Sequence, residues 1–329
     1  MTKRCTTEEM AGWLRERDDF VILGHIHPDG DAAGATLGLW HVLTGMGKRA
    51  VVCLPGGMTQ IYADLPGAQA IRDTGDALPF VPRTALAVDV SDTGRLGEAG
   101  RALFEKCPEQ GVIDHHSTNA GFGQVMLLDP RAAAAGELAV EVVEAMHLKL
   151  QPEAAWCLFV AISTDTGHFS FSNTRPRTFG AAAACAAAGI DIDAITTRLY
   201  RTRSLPRTKL LGLVLADMQI SPDGKIAWAR LTEAMLEEAH ATAADNEGII
   251  NYLQEISGVT FAILAQQRGS QTKLSLRSRA PMDVARAIAL PMGGGGHACA
   301  SGATVDMPLE QALQRAIALA RAALDEAIS

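Results

Sequence analysis

The sequence predicts an α/β fold: a parallel-sheet N-terminal domain with helices on both faces, followed by a smaller mixed α/β C-terminal domain. Three observations predict it. The 329 residues are 48% hydrophobic but only 5% aromatic and are rich in alanine, which suits many closely packed helices better than an all-β sandwich. Short apolar runs recur through the first half, separated by segments long enough for helical crossovers, the spacing of a parallel sheet covered on both faces. From residue 225 the pattern changes to β-type runs followed by helices.

Taken in order, residues 6–17 read as a helix with Thr6 as its cap and Glu9 three residues on. Phe20 to Leu23 is a buried strand running into His25-Ile26-His27-Pro28-Asp29-Gly30-Asp31-Ala32, where Pro28 ends the strand and Gly30 permits a tight turn. A small-residue helix then covers Ala32 to Trp40. Strands are expected at Ala50–Leu54, Ala85–Val90 and Gly111–Ile113, and helices at Ala132–Leu148, Pro152–Thr164 and Pro176–Ala188, the last closed by Gly189. Asp191 to Ala216 is more polar and broken at Pro206, an interdomain connection or simply a solvated helix pair. Strands at Lys225–Leu231, Thr260–Gln266 and Thr272–Leu276 and helices near 283–290 and 309–328 complete the chain, with a hairpin turn at Asp223-Gly224. The expected division is residues 1–188, a helical linker over 189–216, and 217–329.

A net charge of −8 has the wrong sign for gripping long nucleic acid through its phosphates, although a small phosphorylated ligand bound through metal ions remains compatible with it. The six cysteines are scattered without a CxxC pair, which indicates neither structural zinc nor a disulfide framework. No stretch approaches the roughly 20 apolar residues of a membrane helix, and the N-terminus lacks an apolar signal core, so cytoplasm is the expected compartment.

The chemistry lies in acids and histidines at strand ends. His25, Asp29 and Asp31 follow the first strand, Asp89 ends the strand beginning at Ala85, and Asp114, His115 and His116 follow the strand ending at Ile113. Asp165 closes an apolar helix. In open parallel sheets ligands bind outside the carboxyl ends of the strands, so four segments converge on one rim. Each element alone has a bland alternative: Asp-Gly-Asp is a common turn, Asp-Thr-Gly a common loop, and a single histidine a structural residue. Together they offer oxygen and nitrogen donors without a thiolate, which suits Mn²⁺, or Mg²⁺ in second place, better than structural zinc. Two ions about 3.5 to 4 Å apart would share a carboxylate, activate a water and neutralise phosphoryl charge. Gly293–Gly296 with His297 reads either as a flexible loop or as a phosphate cradle, the latter supported by Arg277 and Ser278 at the end of the preceding strand.

HIHPDGDA, AVDVSDTG, VIDHHSTN and STDTGHFSF, in that order, resemble the successive motifs of the DHH phosphoesterases, and SLRSR with GGGGHACASG resembles the DHH-associated C-terminal domain. The resemblance covers most of the chain, and its length and glycine-rich ending are similar to the group of short-RNA oligoribonucleases and pAp phosphatases. It implies two Mn²⁺ ions, the first on His25, Asp29 and Asp89, the second on Asp31, Asp89, His115 and Asp165, with Asp89 bridging. It implies that His116 faces the scissile phosphate and that Asp114 orients it. It implies further that Arg277, Ser278, Gly293, Gly294, Gly295, Gly296 and His297 hold the nucleotide across an interdomain cleft. His27 fills a variable position. The implied substrates are short oligoribonucleotides, dinucleotides such as pApA, or the 3′-phosphate of pAp, and a homodimer is possible. The alternatives are a manganese inorganic pyrophosphatase, whose second domain lacks the glycine-rich element, a RecJ-like exonuclease, which is a much longer chain, and a noncatalytic nucleotide-binding module, which would have lost ligand acids.

Overall fold

The computed structural model describes residues 2–328. The chain divides into two compact units, Met1–Arg201 and Thr202–Ser329.

The first unit contains β1 (Lys3–Arg4), α1 (Thr7–Glu16), β2 (Phe20–Leu23), α2 (Gly30–Gly45), β3 (Ala50–Cys53), β4 (Thr84–Val88), α3 (Gly97–Lys106), β5 (Glu109–Asp114), β6 (Val125–Leu128), α4 (Ala135–Ala145), α5 (Pro152–Asp165), α6 (Pro176–Ala187) and α7 (Ile192–Thr196). The strands form one parallel sheet in the order β1-β6-β5-β4-β2-β3. Successive strand residues alternate between two cores, as the pleat requires. Phe20, Ile22, Leu86, Val88 and Ile113 pack under α1, α2, α4 and α5. Val21, Leu23, Ala85, Ala87 and Val112 pack against Leu96 and Phe104 on the α3 side. Thr6 caps α1 as expected, accepting from the Glu9 amide at 3.3 Å while the Glu9 carboxylate accepts the Thr6 amide at 2.9 Å.

Helices α2 and α5 approach backbone to backbone. A methyl group on Gly34 would lie 2.3 Å from the Cys157 carbonyl oxygen, so only glycine permits this contact. The approach sets the start of α2, with Asp29 and Asp31, beside the end of α5, with Asp165.

Strands β1 and β6 were not expected from the sequence. β1 is two exposed polar residues on a sheet edge, and β6 is a four-residue run too short to show a period. The helix expected over 132–148 begins only at Ala135, because Asp129–Ala132 close a turn and Ala134 is extended, with φ −157° and ψ 156°.

The second unit contains α8 (Leu205–Asp217), β7 (Gln219–Ile220), β8 (Ile226–Leu231), α9 (Glu233–Ala239), α10 (Ile249–Gln254), β9 (Phe261–Arg268), β10 (Gln271–Ser278), β11 (Gly295–His297), β12 (Ala300–Val305) and α11 (Leu309–Ile328). Its mixed sheet runs β11-β12-β10-β9-β8-β7, with only the β8–β9 pair parallel. Helix α11 covers one face through Leu313 and Ala316, while α8 and α10 cover the other through Leu210, Val214 and Leu253. Asp223 and Gly224 lie in the turn between β7 and β8, and Gly224 has φ 71°.

The stretch 189–216 is shared between the units. Ile195 is buried in the core of the first and Leu210 and Val214 in that of the second. Pro206 does not break a helix but opens α8, within the first turn, where a missing N–H costs nothing, and the Ser204 side chain caps that turn. The helix expected near 283–290 is a π-turn over Ala285–Ala289 continued by a 3₁₀ turn.

Candidate metal centre

The carboxyl ends of β2, β4 and β5, adjacent in the sheet, deliver the expected residues to one place. Beyond β4, the Asp89 amide donates to the Ile113 carbonyl at 2.9 Å, and its φ of 59° turns the chain out of the strand. A non-glycine residue in that region is strained, and such strain concentrates at functional sites.

Asp89 is 2% exposed and stands between two groups of donors. His25 Nε2 lies 3.5 Å from Asp89 Oδ2 and 3.7 Å from Asp29 Oδ2. His115 Nε2 lies 3.4 Å from Asp89 Oδ1, 3.4 Å from Asp165 Oδ2 and 3.7 Å from Asp31 Oδ2. Within each of the sets His25–Asp29–Asp89 and Asp31–His115–Asp165, one donor atom per residue lies within 4.8 Å of the others. These separations exceed good hydrogen bonds and suit donors that share a cation.

The surrounding backbone fixes the donors. His25 Nδ1 sits 2.8 Å from the Ile26 carbonyl and His115 Nδ1 3.3 Å from that of Ala132, so each ring donates there and turns Nε2 inward. Asp29 Oδ1 caps α2 by accepting the amides of Asp31 and Ala32, leaving Oδ2 toward His25. The buried Asp31 carboxylate accepts the Ala135 and Gly136 amides at 2.6 and 2.9 Å, the first donors of α4.

Four carboxylates in so small a volume perturb one another. Burial pushes Asp31 well above the usual carboxylate range, reinforced by Asp89 and Asp165, and burial holds Asp165 up to about 6 despite His115. Burial opposes the charges on His25 and His115, but the negative carboxylates facing their Nε2 atoms, Asp29 and Asp89 for His25 and Asp89, Asp31 and Asp165 for His115, outweigh it and raise both to about 10. Asp89 itself is held low: burial works against its charge, and the two histidines overcome it. Its Oδ1 is buried and accepts no hydrogen bond, although ring nitrogens of His115 and His116 stand 3.4 and 3.6 Å away. A buried carboxylate oxygen left in that condition, among hard oxygen and imidazole donors, fits a divalent cation. Asp29, Asp31, Asp89, Asp165, His25 and His115 could therefore hold two ions, with Asp89 offering one oxygen to each.

His116 Nδ1 lies 2.7 Å from Asp114 Oδ1, and this hydrogen bond raises its pKa. Asp114 is fully buried, and its other oxygen accepts from Asn119 Nδ2 at 2.7 Å. Asn119, which also donates to the Val90 carbonyl at 3.1 Å, was not singled out in the sequence, although it ends the same motif. The carbonyl of Ala132 and the amides of Ala135 and Gly136 were invisible there too, since every residue supplies such groups. His27, exposed with φ 54°, joins none of the donor sets among the described residues. Asp92 of the first Asp-Thr-Gly turns its carboxylate back on the Gly94 and Arg95 amides, a local cap.

In the second unit Arg277, Ala300 and His297 stand opposite one another across β10, β12 and β11. At roughly 4.8 Å per strand, Arg277 and His297 are about 10 Å apart along one end of the sheet. Burial lowers the Arg277 pKa, and among the described residues no carboxylate pairs with it. Ser278 requires a correction: it is 1% exposed, and its hydroxyl lies between the carbonyls of Met282 and Ala298 at 2.8 and 3.0 Å, where it braces the loop and is not open to a ligand. The glycine run is also not a free loop. Gly295 and Gly296 belong to strand β11. A methyl on Gly294 would meet the Gly302 carbonyl at 2.1 Å, and one on Gly296, at φ 142°, would meet Ala300 and Ser301 at 2.7 Å, so close packing on β12 already demands these two glycines.

Comparison with known proteins places the chain in a family. The N-terminal domain of the DHH family matches residues 19–162, and the DHHA1 domain matches residues 223–326. The bifunctional oligoribonuclease and PAP phosphatase NrnA of Thermus thermophilus is 32% identical over 313 residues, covering 93% of this chain and 90% of that protein. The chain belongs to the DHH family of phosphoesterases. The Bacillus subtilis protein of the same name is 24% identical over 88% of this chain and 90% of its own length. Among solved structures, an exopolyphosphatase-related protein from Bacteroides fragilis superposes with a TM-score of 0.88 at 26% identity, covering 96% of this chain and 95% of that one.

Proposed function

We propose that this DHH protein is a two-metal phosphoesterase that hydrolyses very short oligoribonucleotides, dinucleotides such as pApA among them, to mononucleotides, and removes the 3′-phosphate of pAp. The observation that carries the reading is the division of the two Asp89 oxygens between His25 and His115. Relatives along nearly the whole chain, named as bifunctional oligoribonucleases and PAP phosphatases, supply the substrate class.

In this reading His25, Asp29 and Asp89 hold one ion and Asp31, Asp89, His115 and Asp165 the other, Mn²⁺ by preference and Mg²⁺ second. Two such ions, when bound, supply a clamp on phosphoryl oxygens and an activated water. The chain's own residues do the rest. Asp114 fixes His116 through Nδ1, which leaves Nε2 as the donor toward the phosphate. Arg277, half-buried and without a carboxylate partner among the described residues, and His297, across β12 from it in register, bind the anionic end of the nucleotide. Residues 1–188 then form the catalytic domain and 217–329 the substrate domain, joined by 189–216. The net charge of −8 disfavours long RNA. All six cysteines are free, as a reducing, cytoplasmic setting requires.

A Mn²⁺-dependent assay on pAp, pApA, a long RNA and pyrophosphate tests this. Turnover of pAp and pApA, with the dinucleotide cut faster than the long RNA, is expected. Equal rates on dinucleotide and long RNA would remove the length preference, and turnover of pyrophosphate alone would contradict the reading.

A further inference from the structure

Asn173, on the segment between α5 and α6, contributes no side-chain atom to the donor sets, yet its amide lies where three of those donors are set. Asn173 Nδ2 donates to the Asp165 carbonyl at 3.0 Å and to the Ala133 carbonyl at 3.1 Å. The first bond holds the last residue of α5, whose side chain is a donor. The second holds the turn before α4, whose neighbours serve the site directly: the Ala132 carbonyl accepts from His115, and the Ala135 and Gly136 amides hold Asp31. One side-chain amide thus ties together the backbone supports of Asp31, His115 and Asp165.

The other half-site owes nothing to this tie. His25 is fixed by the Ile26 carbonyl and Asp29 by the first amides of α2. The chemistry of the position is also specific. With two carbonyls facing the Nδ2 end, the amide has one orientation, because its flipped form would set oxygen against both. A carboxylate of the same shape would place an acceptor there in either orientation. Nearby, Arg177 on α6 donates to Asp129 at 2.6 Å and through Nη2 to Glu141 at 2.7 Å, so the start of the loop from β6 to α4 and the body of α4 are both tied to α6, while Asn173 holds Ala133 between them.

We propose that Asn173 is a positioning residue for the second metal half-site, Asp31–His115–Asp165, and sets the affinity of that ion without setting that of the first. The proposal rests on the two-ion reading above. Supports of this kind are typically worth 10–100-fold in metal affinity.

The test is Mn²⁺ titration of the metal-free protein, read by calorimetry and by the exchange-coupled electron paramagnetic resonance signal of a manganese pair, for the wild type, Asn173→Ala and the isosteric Asn173→Asp, with metal-free thermal unfolding as the control for folding. The wild type should take up two ions. In the variants the first ion should bind as before, the second should weaken about 10–100-fold, and the coupled signal should appear only at correspondingly higher Mn²⁺. Asn173→Asp, which conserves volume, carries the test if Asn173→Ala does not fold. Two ions bound as in the wild type, or both weakened alike, would overturn the proposal while leaving the two-ion reading intact. Fewer than two ions in the wild type would overturn both.

Discussion

Asp89 faces His25 with one carboxylate oxygen at 3.5 Å and His115 with the other at 3.4 Å. Asp29 and the shared Asp89 raise His25, and Asp89 with Asp31 and Asp165 raises His115, both to about 10, so at pH 7 each ring carries a proton that a metal ligand must lose. Mn²⁺ binding at pH 7 should therefore expel about two protons per chain, and the affinity should rise as pH increases from 6 toward 10. Calorimetric titration in buffers of different ionisation enthalpy measures this directly. An apparent enthalpy that does not depend on the buffer would show that the histidines are neutral before binding.

Asp114 lies beneath His116 and accepts from it at 2.7 Å, its other oxygen occupied by Asn119. Asp114→Asn keeps the shape and loses the charge that orients the ring. The expected outcome is a fall in kcat of about 10–100-fold, with KM within about twofold and the bound-metal stoichiometry unchanged. Steady-state kinetics and metal analysis check it, and loss of an ion would make Asp114 a ligand.

The glycine run separates packing from binding. Gly296→Ala, at φ 142° against Ala300 and Ser301, should destabilise the second unit by about 1–3 kcal/mol, whereas Gly295→Ala, which meets nothing within 4 Å, should leave thermal unfolding unchanged. If the backbone at Gly295 also approaches the nucleotide, KM for pApA should rise in that variant alone. Paired melting curves and kinetics give the answer.

Much of the fold was legible because it rests on local signals. The capping box at Thr6 and Glu9, the apolar run Phe20–Leu23 and the breaker at Pro28 each determine their own element. The candidate donors were legible for a different reason: each acid or histidine alone has a bland reading, but six of them, five beyond strand ends and Asp165 at the end of α5, recur in order. What stayed hidden depends on partners distant in sequence. Strand β1 exists only because β6 is beside it, and the delayed start of α4 follows from Asp31, a hundred residues earlier, taking its first amides. Ser278 misled because a serine beside an arginine reads as a phosphate contact, while its burial and its two carbonyl partners come from the loop that folds over it. Of the two readings of the glycine run, the flexible loop gives way to a strand pressed against its neighbour, which requires the same residue.

The most direct test of the bridging role of Asp89 is Asp89→Asn, with bound manganese counted and pApA hydrolysis measured on the same sample. Replacing the charged bridge by an amide should reduce the count from two ions to one or none and the rate by at least about 10²-fold, with pAp hydrolysis falling in parallel. Two ions retained with full activity in Asp89→Asn would contradict the account.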